Sequence, residues 1–266
     1  MPAYIPSLGA AGVKWISGYP GNQAKGLPYI TGLLILNDPE TGVPTAIMDA
    51  TWLTAQRTGA ATAVAARHLA RPNSSTAGII ACGVQGRSNL EALACVFSLE
   101  KVWAYDRNRE VAETFATDMS AALDVQVEVV TEPRAAVVDA DLVVTSGPIL
   151  KAPTPVIDTD WLAPGAFASP VDFDSYWTGG ALRQADKLAT DDIAQFEHYR
   201  EAGYFSDTPA PYADLGQIVA GHQPGRERED ERTIAINLGL ALEDMATAMP
   251  IYERAIELGV GTRLPL

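Results

Sequence analysis

The run Ala81-Cys82-Gly83-Val84-Gln85-Gly86-Arg87 follows an apolar stretch, Ala77 to Cys82, and leads into a helical pattern from Ser88 to Leu99. Dinucleotide binding asks for that order. A strand feeds a glycine turn, and a helix N-terminus offers unpaired N–H groups and the positive end of its dipole to a pyrophosphate. Gly83 would let the backbone approach the phosphates and Gly86 would let helix and strand pack closely, with Val84 and Gln85 between them. The first glycine of the G-x-G-x-x-G pattern is replaced by Ala81. Asp106 stands 20 residues beyond Gly86, at the end of the next apolar stretch, where a carboxylate accepts from a ribose 2′-hydroxyl and repels a 2′-phosphate. NAD(H) is therefore favoured over NADP(H), and Arg107 and Arg109 are the cations that would serve the phosphorylated form. The competing reading is a Rossmann-like layer without a nucleotide, in which Asp106 caps the following helix.

Other chemistries find little footing. His68, His198 and His222 are scattered and the two cysteines, Cys82 and Cys95, fit no ligand spacing, so no metal is expected and both thiols read as buried and free. Thirty-three acidic against 19 basic residues give a net charge of −14, which repels nucleic acid and anionic lipid. Apolar runs such as Leu33 to Leu36 fall far short of the roughly 20 residues a bilayer span needs. Met1 to Ser17 lacks the basic start of a signal peptide, so a cytoplasmic location is expected. At 266 residues and 47% hydrophobic content the chain is long enough for one large domain or two modest ones.

The elements that must position these residues change character twice along the chain. Gly12 to Ser17, Ile30 to Leu36 and Pro44 to Met48 read as antiparallel strands separated by turn chemistry at Gly18–Asn22 and Asp38–Gly42. A long helix follows, with Leu53, Arg57, Ala60, Ala61, Val64, His68 and Leu69 at helical spacing, and ends at Arg71-Pro72-Asn73. From Thr76, strands at Ala77–Cys82, Lys101–Tyr105, Val125–Val130 and Leu142–Thr145 alternate with helices at Ser88–Leu99, Arg109–Leu123 and Arg134–Val138, the rhythm of a parallel doubly wound sheet. A proline-punctuated loop from Pro148 to Pro170, a strand at Ala185–Leu188 and a helix at Asp191–Ala202 come next. Gly225 to Arg232 reads as a solvated charge run. Leu238, Leu242, Met245, Met249, Tyr252 and Ile256 then place one apolar stripe on a helix that Pro250 should kink, and the first sheet is its natural partner. The fold expected is α/β, with a Rossmann-type doubly wound sheet over residues 74–230. A smaller α+β substrate-binding and dimerisation domain, 1–70 with 233–266, is built from both chain ends.

Several blocks in order carry a resemblance over nearly the whole chain. They are Gly12-Val13-Lys14, Tyr19-Pro20-Gly21-Asn22 and Gly26-Leu27-Pro28; Leu53-Thr54-Ala55-Gln56-Arg57-Thr58; Gly83-Val84-Gln85-Gly86; and Leu238-Gly239-Leu240-Ala241-Leu242-Glu243-Asp244. The sequence resembles the ornithine cyclodeaminase/mu-crystallin family. Asp172 to Trp177 and Thr190-Asp191-Asp192 are similar to a bacterial subgroup that carries the name tyramine oxidase. The resemblance implies a two-domain NAD(P)-dependent enzyme, usually dimeric, acting on amino or imino acids by hydride transfer at the carbon that bears nitrogen. It implies Lys14 as the catalytic lysine, Arg57 as the guanidinium that grips a substrate carboxylate and Asp174 as the carboxylate facing the nicotinamide; Thr145 and Gly239 join the cofactor-binding set. The residue types suit these tasks. A guanidinium fork matches a planar carboxylate, and a lysine beside a C–N bond can donate or shuttle a proton. An aspartate can orient that lysine or activate water.

Two departures shape the expectation. The cyclodeaminase loop continues into a glycine-and-lysine turn, whereas Asp174 lies between Phe173 and Ser175-Tyr176-Trp177. Relatives also carry a leading segment with a further arginine, and residues 1–13 contain neither Arg nor Lys. The expected activity is thus an imino-acid reductase or amino-acid dehydrogenase working with NAD(H) on a small 2-amino or 2-imino acid, as a homodimer without nucleic-acid or membrane partners. Ornithine cyclodeamination with release of ammonia is the enzymatic alternative, and nucleotide binding without turnover the alternative of another class.

Overall fold

A computed structural model describes residues 1–265. Two compact units share the chain, Met1–Arg57 with Gly239–Leu266, and Thr58–Leu238.

In the first unit β1 (Pro2–Ile5), β2 (Ala10–Gly18), β3 (Ile30–Asn37) and β4 (Pro44–Asp49) form an antiparallel meander in chain order. The turn after β3 is tied by the Asp38 carboxylate, which accepts from the Glu40 and Thr41 N–H groups and the Thr41 hydroxyl. At the end of β4 the Asp49 carboxylate accepts the Thr51 and Trp52 N–H groups and so starts α1 (Ala50–Leu69). Strand alternation divides the sheet into two faces. Ala10, Leu34 and Leu36 pack with Leu53 of α1 and with Met245 and Ala248 of the last helix, Ala241–Leu258, which runs through Pro250. The other face displays Tyr4, Trp15, Leu33 and Ile47, each 49–73% exposed, with Trp15 and Leu33 opposite one another.

The second unit is one parallel sheet. Its strands are β5 (Thr76–Ile80), β6 (Lys101–Tyr105), β7 (Gln126–Val129), β8 (Leu142–Thr145), β9 (Phe167–Pro170), β10 (Lys187–Thr190), β11 (Ala213–Asp214) and β12 (Thr233–Ile236), in the order β11-β10-β12-β9-β8-β5-β6-β7. The helices are α2 (Val84–Ala94), α3 (Arg109–Leu123), α4 (Gly179–Leu182), α5 (Ile193–Glu201) and α6 (Leu215–Val219), and the last helix of the chain is α7. Central strands β8, β9 and β12 are buried at every residue, as parallel strands covered on both faces must be. The chain reverses direction across the sheet between β5 and β8, and doubly wound sheets bind ligands at the carboxyl ends of the strands at such a point.

Several expectations need correction. The compact units divide at Arg57/Thr58 and Leu238/Gly239, beside the domain limits of 70/74 and 230/233 expected from the sequence, and β12 is hydrogen-bonded between β9 and β10. The helix expected at Arg134–Val138 is a short 3-10 turn, Pro133–Ala136, whose proline starts it and whose length is too small for an α-helix. The helix expected from Ser88 begins at Val84, directly after Gly83. Cys95 caps the end of α2 and is exposed; Cys82 alone is buried. The charge run is a structural clamp: Arg226 donates to the carbonyls of Leu69 and Glu231 and to the Thr233 hydroxyl, and Glu231 is 1% exposed. None of the helices among the described residues is long and apolar enough to cross a membrane.

The passage from α1 to β5 hangs on Asp141, which accepts from the Ser75 and Thr76 N–H groups and the Thr76 hydroxyl and pairs with Arg71. Burial alone would lift its pKa, but the bonds from Ser75, Thr76 and Arg71 outweigh burial and hold it below the ordinary carboxylate range. A depressed acid stabilises the fold fully above its unfolded pKa of about 4 and loses that contribution as pH falls through the folded value. Asp141→Ala is expected to lower the unfolding free energy by about 2–3 kcal/mol at neutral pH. In urea titrations its deficit should shrink below about pH 4.

Candidate active site

At the carboxyl end of β5 the chain turns through Ala81, which adopts φ +71, a left-handed conformation that glycine would take without strain. Here the alanine is held by two backbone anchors: its N–H donates to the Tyr105 carbonyl at 2.9 Å, and its carbonyl accepts from the Ser146 hydroxyl at 2.8 Å. Gly86 must be glycine, since a Cβ there would sit 2.5 Å from the Ala81 carbonyl oxygen. At Gly83 a Cβ would meet nothing within 4 Å. Gly83 is the N-cap of α2 and no side chain caps that helix, so its first-turn N–H groups, including those of Val84 and Gln85, lie at the sheet's switch point without a side-chain cap.

Asp106 lies at the end of β6. Its Oδ2 accepts the Cys82 N–H and its Oδ1 the Asn108 N–H, both at 2.9 Å. The cap of α3 is Asn108, which accepts from the Glu110 N–H, so Asp106 is not the helix cap. It braces the glycine turn while keeping lone pairs on both oxygens. Arg107 is exposed beside it. The Cys82 thiol is pushed up to about 12 by burial and by the Asp106 charge, which leaves it inert as a nucleophile.

The loops after β8 and β9 carry a second constellation. The Thr145 hydroxyl donates to Asp172 Oδ1 at 2.6 Å and accepts from Trp177 Nε1 at 3.0 Å, while Gly147 N–H donates to Asp172 Oδ2. The Thr145 side chain is thus engaged on both sides. Asp174 is 4% exposed; its Oδ2 accepts from the Thr208 hydroxyl at 3.3 Å, and its Oδ1 is buried without a hydrogen-bond partner among the described residues. Burial lifts the Asp174 pKa against the opposing bonds from Thr208 and Phe205. The turn is held open by Phe173, at φ +62 and packed among Tyr199, Tyr204 and Phe205. Asn237, just past β12, has both side-chain polar atoms buried and unpartnered among the described residues. Sequence reasoning missed it; the signal was an amide at the carboxyl end of a strand.

In the first unit Lys14 on β2 and Arg57 on α1 converge on one carboxylate from α7. Lys14 Nζ lies 2.5 Å and Arg57 Nε 3.2 Å from Asp244 Oδ1, and Arg57 Nη1 lies 3.0 Å from Glu243 Oε2. Lys14 is 1% exposed and Asp244 fully buried. Burial and the Arg57 charge lower the Lys14 pKa; Asp244 and Glu243 oppose them. Gly239, at φ +89, lies against the guanidinium: a Cβ there would be 2.5 Å from Arg57 Nη1. Glu243 and Asp244 were visible in the sequence only as part of a matching block, because their partners lie some two hundred residues away. Among the described residues no cluster of His, Cys, Asp and Glu has the arrangement of a metal site.

Comparison with known proteins adds the lineage. The model of the ornithine cyclodeaminase/mu-crystallin family matches residues 1–259. An alanine dehydrogenase from Archaeoglobus fulgidus is 37% identical over 276 residues, covering 99% of this chain and 82% of the relative. The Thermococcus litoralis Δ1-pyrroline-2-carboxylate reductase, solved with NADH and L-proline, superposes with a TM-score of 0.89 at 36% identity, over 99% of this chain and 84% of that one. An archaeal alanine dehydrogenase dimer with bound NAD gives a TM-score of 0.87 at 34% identity, over 100% and 83%.

Burial raises the Asp172 carboxyl to about 7, against the bonds from Thr145 and Gly147. An acid whose folded pKa lies above its unfolded value favours the fold most at low pH. Its contribution declines between about pH 4 and pH 7, a span worth on the order of 3–4 kcal/mol. Asp172→Asn is therefore expected to flatten the fall in stability across that range; thermal melts with parallel slopes in variant and wild type would contradict the assignment.

Proposed function

The chain belongs to the ornithine cyclodeaminase/mu-crystallin family, and from that premise we propose that it is an NAD(H)-dependent oxidoreductase interconverting a small 2-imino acid and the corresponding amino acid. The observation that carries the reading is the buried pair of cations, Lys14 and Arg57, gathered on the Asp244 carboxylate. A buried cation pair held by a neighbouring acid suits an anionic substrate with a polarised C–N bond.

The open α2 N-terminus, the bare approach at Gly83, the Asp106 carboxylate and the orphaned Asn237 amide together fit a dinucleotide. When bound, NADH supplies the hydride for the carbon that bears nitrogen. Gly83, Val84, Gln85 and Gly86 would receive the pyrophosphate on backbone N–H groups, Asp106 would accept from the ribose diol, and Asn237 would offer its amide to the cofactor's polar groups. Arg57 holds the substrate carboxylate through its planar fork. Lys14, as the ammonium, donates to the imine nitrogen, so that the charge developing on nitrogen during reduction is met by a proton. Asp174, with its raised pKa and unpartnered oxygen, is the carboxylate that would face the nicotinamide. The run Ser175-Tyr176-Trp177 that follows it, in place of a glycine-and-lysine turn, supports simple reduction over cyclisation.

The relative solved as a dimer and the apolar outer face of the first sheet support a homodimer formed through the first unit. Replacing Trp15 and Ile47, 73% and 65% exposed, by aspartate places two charges on that face. Sedimentation is expected to give a dimer for the wild type and a monomer for the double variant; a wild-type monomer would overturn the assembly.

The function is tested with Δ1-pyrroline-2-carboxylate and NADH, followed by NADH absorbance. Lys14→Ala is expected to reduce turnover at least about 100-fold with NADH affinity unchanged. Arg57→Lys should chiefly raise KM, as a point charge replaces a fork. Asp106→Ser should narrow the preference for NADH over NADPH by about tenfold or more, the worth of one charge-assisted hydrogen bond of about 1.5–3 kcal/mol. Ammonia release from ornithine without net NADH change would instead establish the cyclodeaminase reaction.

A further inference from the structure

We propose that Asp244 is a positioning residue that sets both the proton and the aim of Lys14 and Arg57. The inference rests on the reading of Lys14 as the donor to the substrate nitrogen and extends it to a residue with no assigned role.

The geometry concentrates on a single oxygen. Asp244 Oδ1 is 2.5 Å from Lys14 Nζ and 3.2 Å from Arg57 Nε, and both Lys14 and Asp244 lie within 1% of full burial. Two cations meeting in such a place repel each other unless a carboxylate stands between them, and a buried ion pair is retained only when its partners are well bonded. Asp244 belongs to the first turn of α7, where the helix dipole favours a negative charge. Its neighbour Glu243 takes Arg57 Nη1. Glu243 therefore accepts the hydrogen bond from Nη1, while Asp244 meets Nε at ion-pair distance without hydrogen-bond geometry, and Gly239 clears the space against the guanidinium.

The charged groups that act on Lys14 are few. Arg57 reaches it from α1, Asp244 and Glu243 from α7, and the terminal amine of Met1 rests on the Lys14 carbonyl at 3.0 Å. Its partners across the sheet in β3 and β4, Leu34 and Met48, bring no charge. Burial and Arg57 draw the ammonium toward the neutral amine, and Asp244 is the group in direct contact that opposes them. Without Asp244 the lysine would give up its proton at a lower pH, and the guanidinium would lose the negative charge beside its Nε.

The test uses the full chain. Side-chain NMR of Lys14 gives its titration directly, and kcat/KM for Δ1-pyrroline-2-carboxylate with NADH is measured against pH. In Asp244→Asn the Lys14 titration and the alkaline limb of kcat/KM are both expected to move down by about one pH unit or more, with kcat/KM at neutral pH reduced about 100-fold. NADH affinity is expected to be unchanged. Asp244→Glu, which keeps the charge, should return the limb toward the wild-type position. Arg57→Gln should move the Lys14 titration upward, and this arm stands even if Asp244→Asn does not fold. A Lys14 titration unmoved in the variants that fold, or an Asp244→Asn enzyme that is slower with a wild-type pH profile, would overturn the proposal. Full turnover by Lys14→Ala would instead defeat the underlying role of Lys14, and the NMR titration would still decide whether Asp244 controls the ammonium.

Discussion

The first unit is organised around one buried carboxylate. Lys14 enters it from the second strand of the chain, Arg57 from the first long helix and Asp244 from the last, a sequence separation of 230 residues between Lys14 and Asp244. Burying a single ammonium or guanidinium would be prohibitive; burying them on a common carboxylate is tolerable because each charge is the others' solvation. That requirement explains why the chain's two ends must form one unit. β1 and β2 supply the sheet and Lys14, and α7 supplies the apolar stripe that covers Ala10, Leu34 and Leu36 together with the acids that neutralise the cations.

The second unit is built differently, from turns of backbone at the strand ends that side chains brace. Ala81 takes the left-handed turn that a glycine would normally occupy, held by Tyr105 and Ser146. Asp106 serves two purposes at once, fixing the Cys82 N–H and presenting oxygens at the end of β6. Asp172 similarly ties the loops after β8 and β9 by accepting from Thr145 and Gly147, and the Thr145 hydroxyl in turn accepts from the Trp177 indole. A carboxyl so fully enclosed, with its pKa near neutrality, marks this unit as sensitive to pH in a direction opposite to the depressed Asp141.

How much of this could be read from the residues depended on distance along the chain. The strands Ile30–Asn37 and Lys101–Tyr105, the helix Arg109–Leu123 and the glycine turn are local patterns of apolar period and breaker residues, and the structure places them within a residue or two of their expected positions. The strands β9 and β12 were missed for a physical reason. Each is four residues long and buried on both faces, so neither alternates, and β9 sits in a proline-rich stretch while β12 follows a charge run. The roles of Lys14 and Arg57 came from resemblance, whereas their dependence on Asp244 needed the fold. Asn237 and Asp172 likewise acquire meaning only from burial and partners, which spacing does not encode.

The claim on which the account turns is that hydride is delivered to the carbon bearing nitrogen. Reduction of Δ1-pyrroline-2-carboxylate with NADH deuterated at the transferable C4 position, analysed by mass spectrometry and NMR of the product, addresses it directly. The account predicts proline carrying one deuterium at its α-carbon, in amount equal to the NADH consumed. Product without deuterium, or consumption of NADH without label in the amino acid, would contradict it.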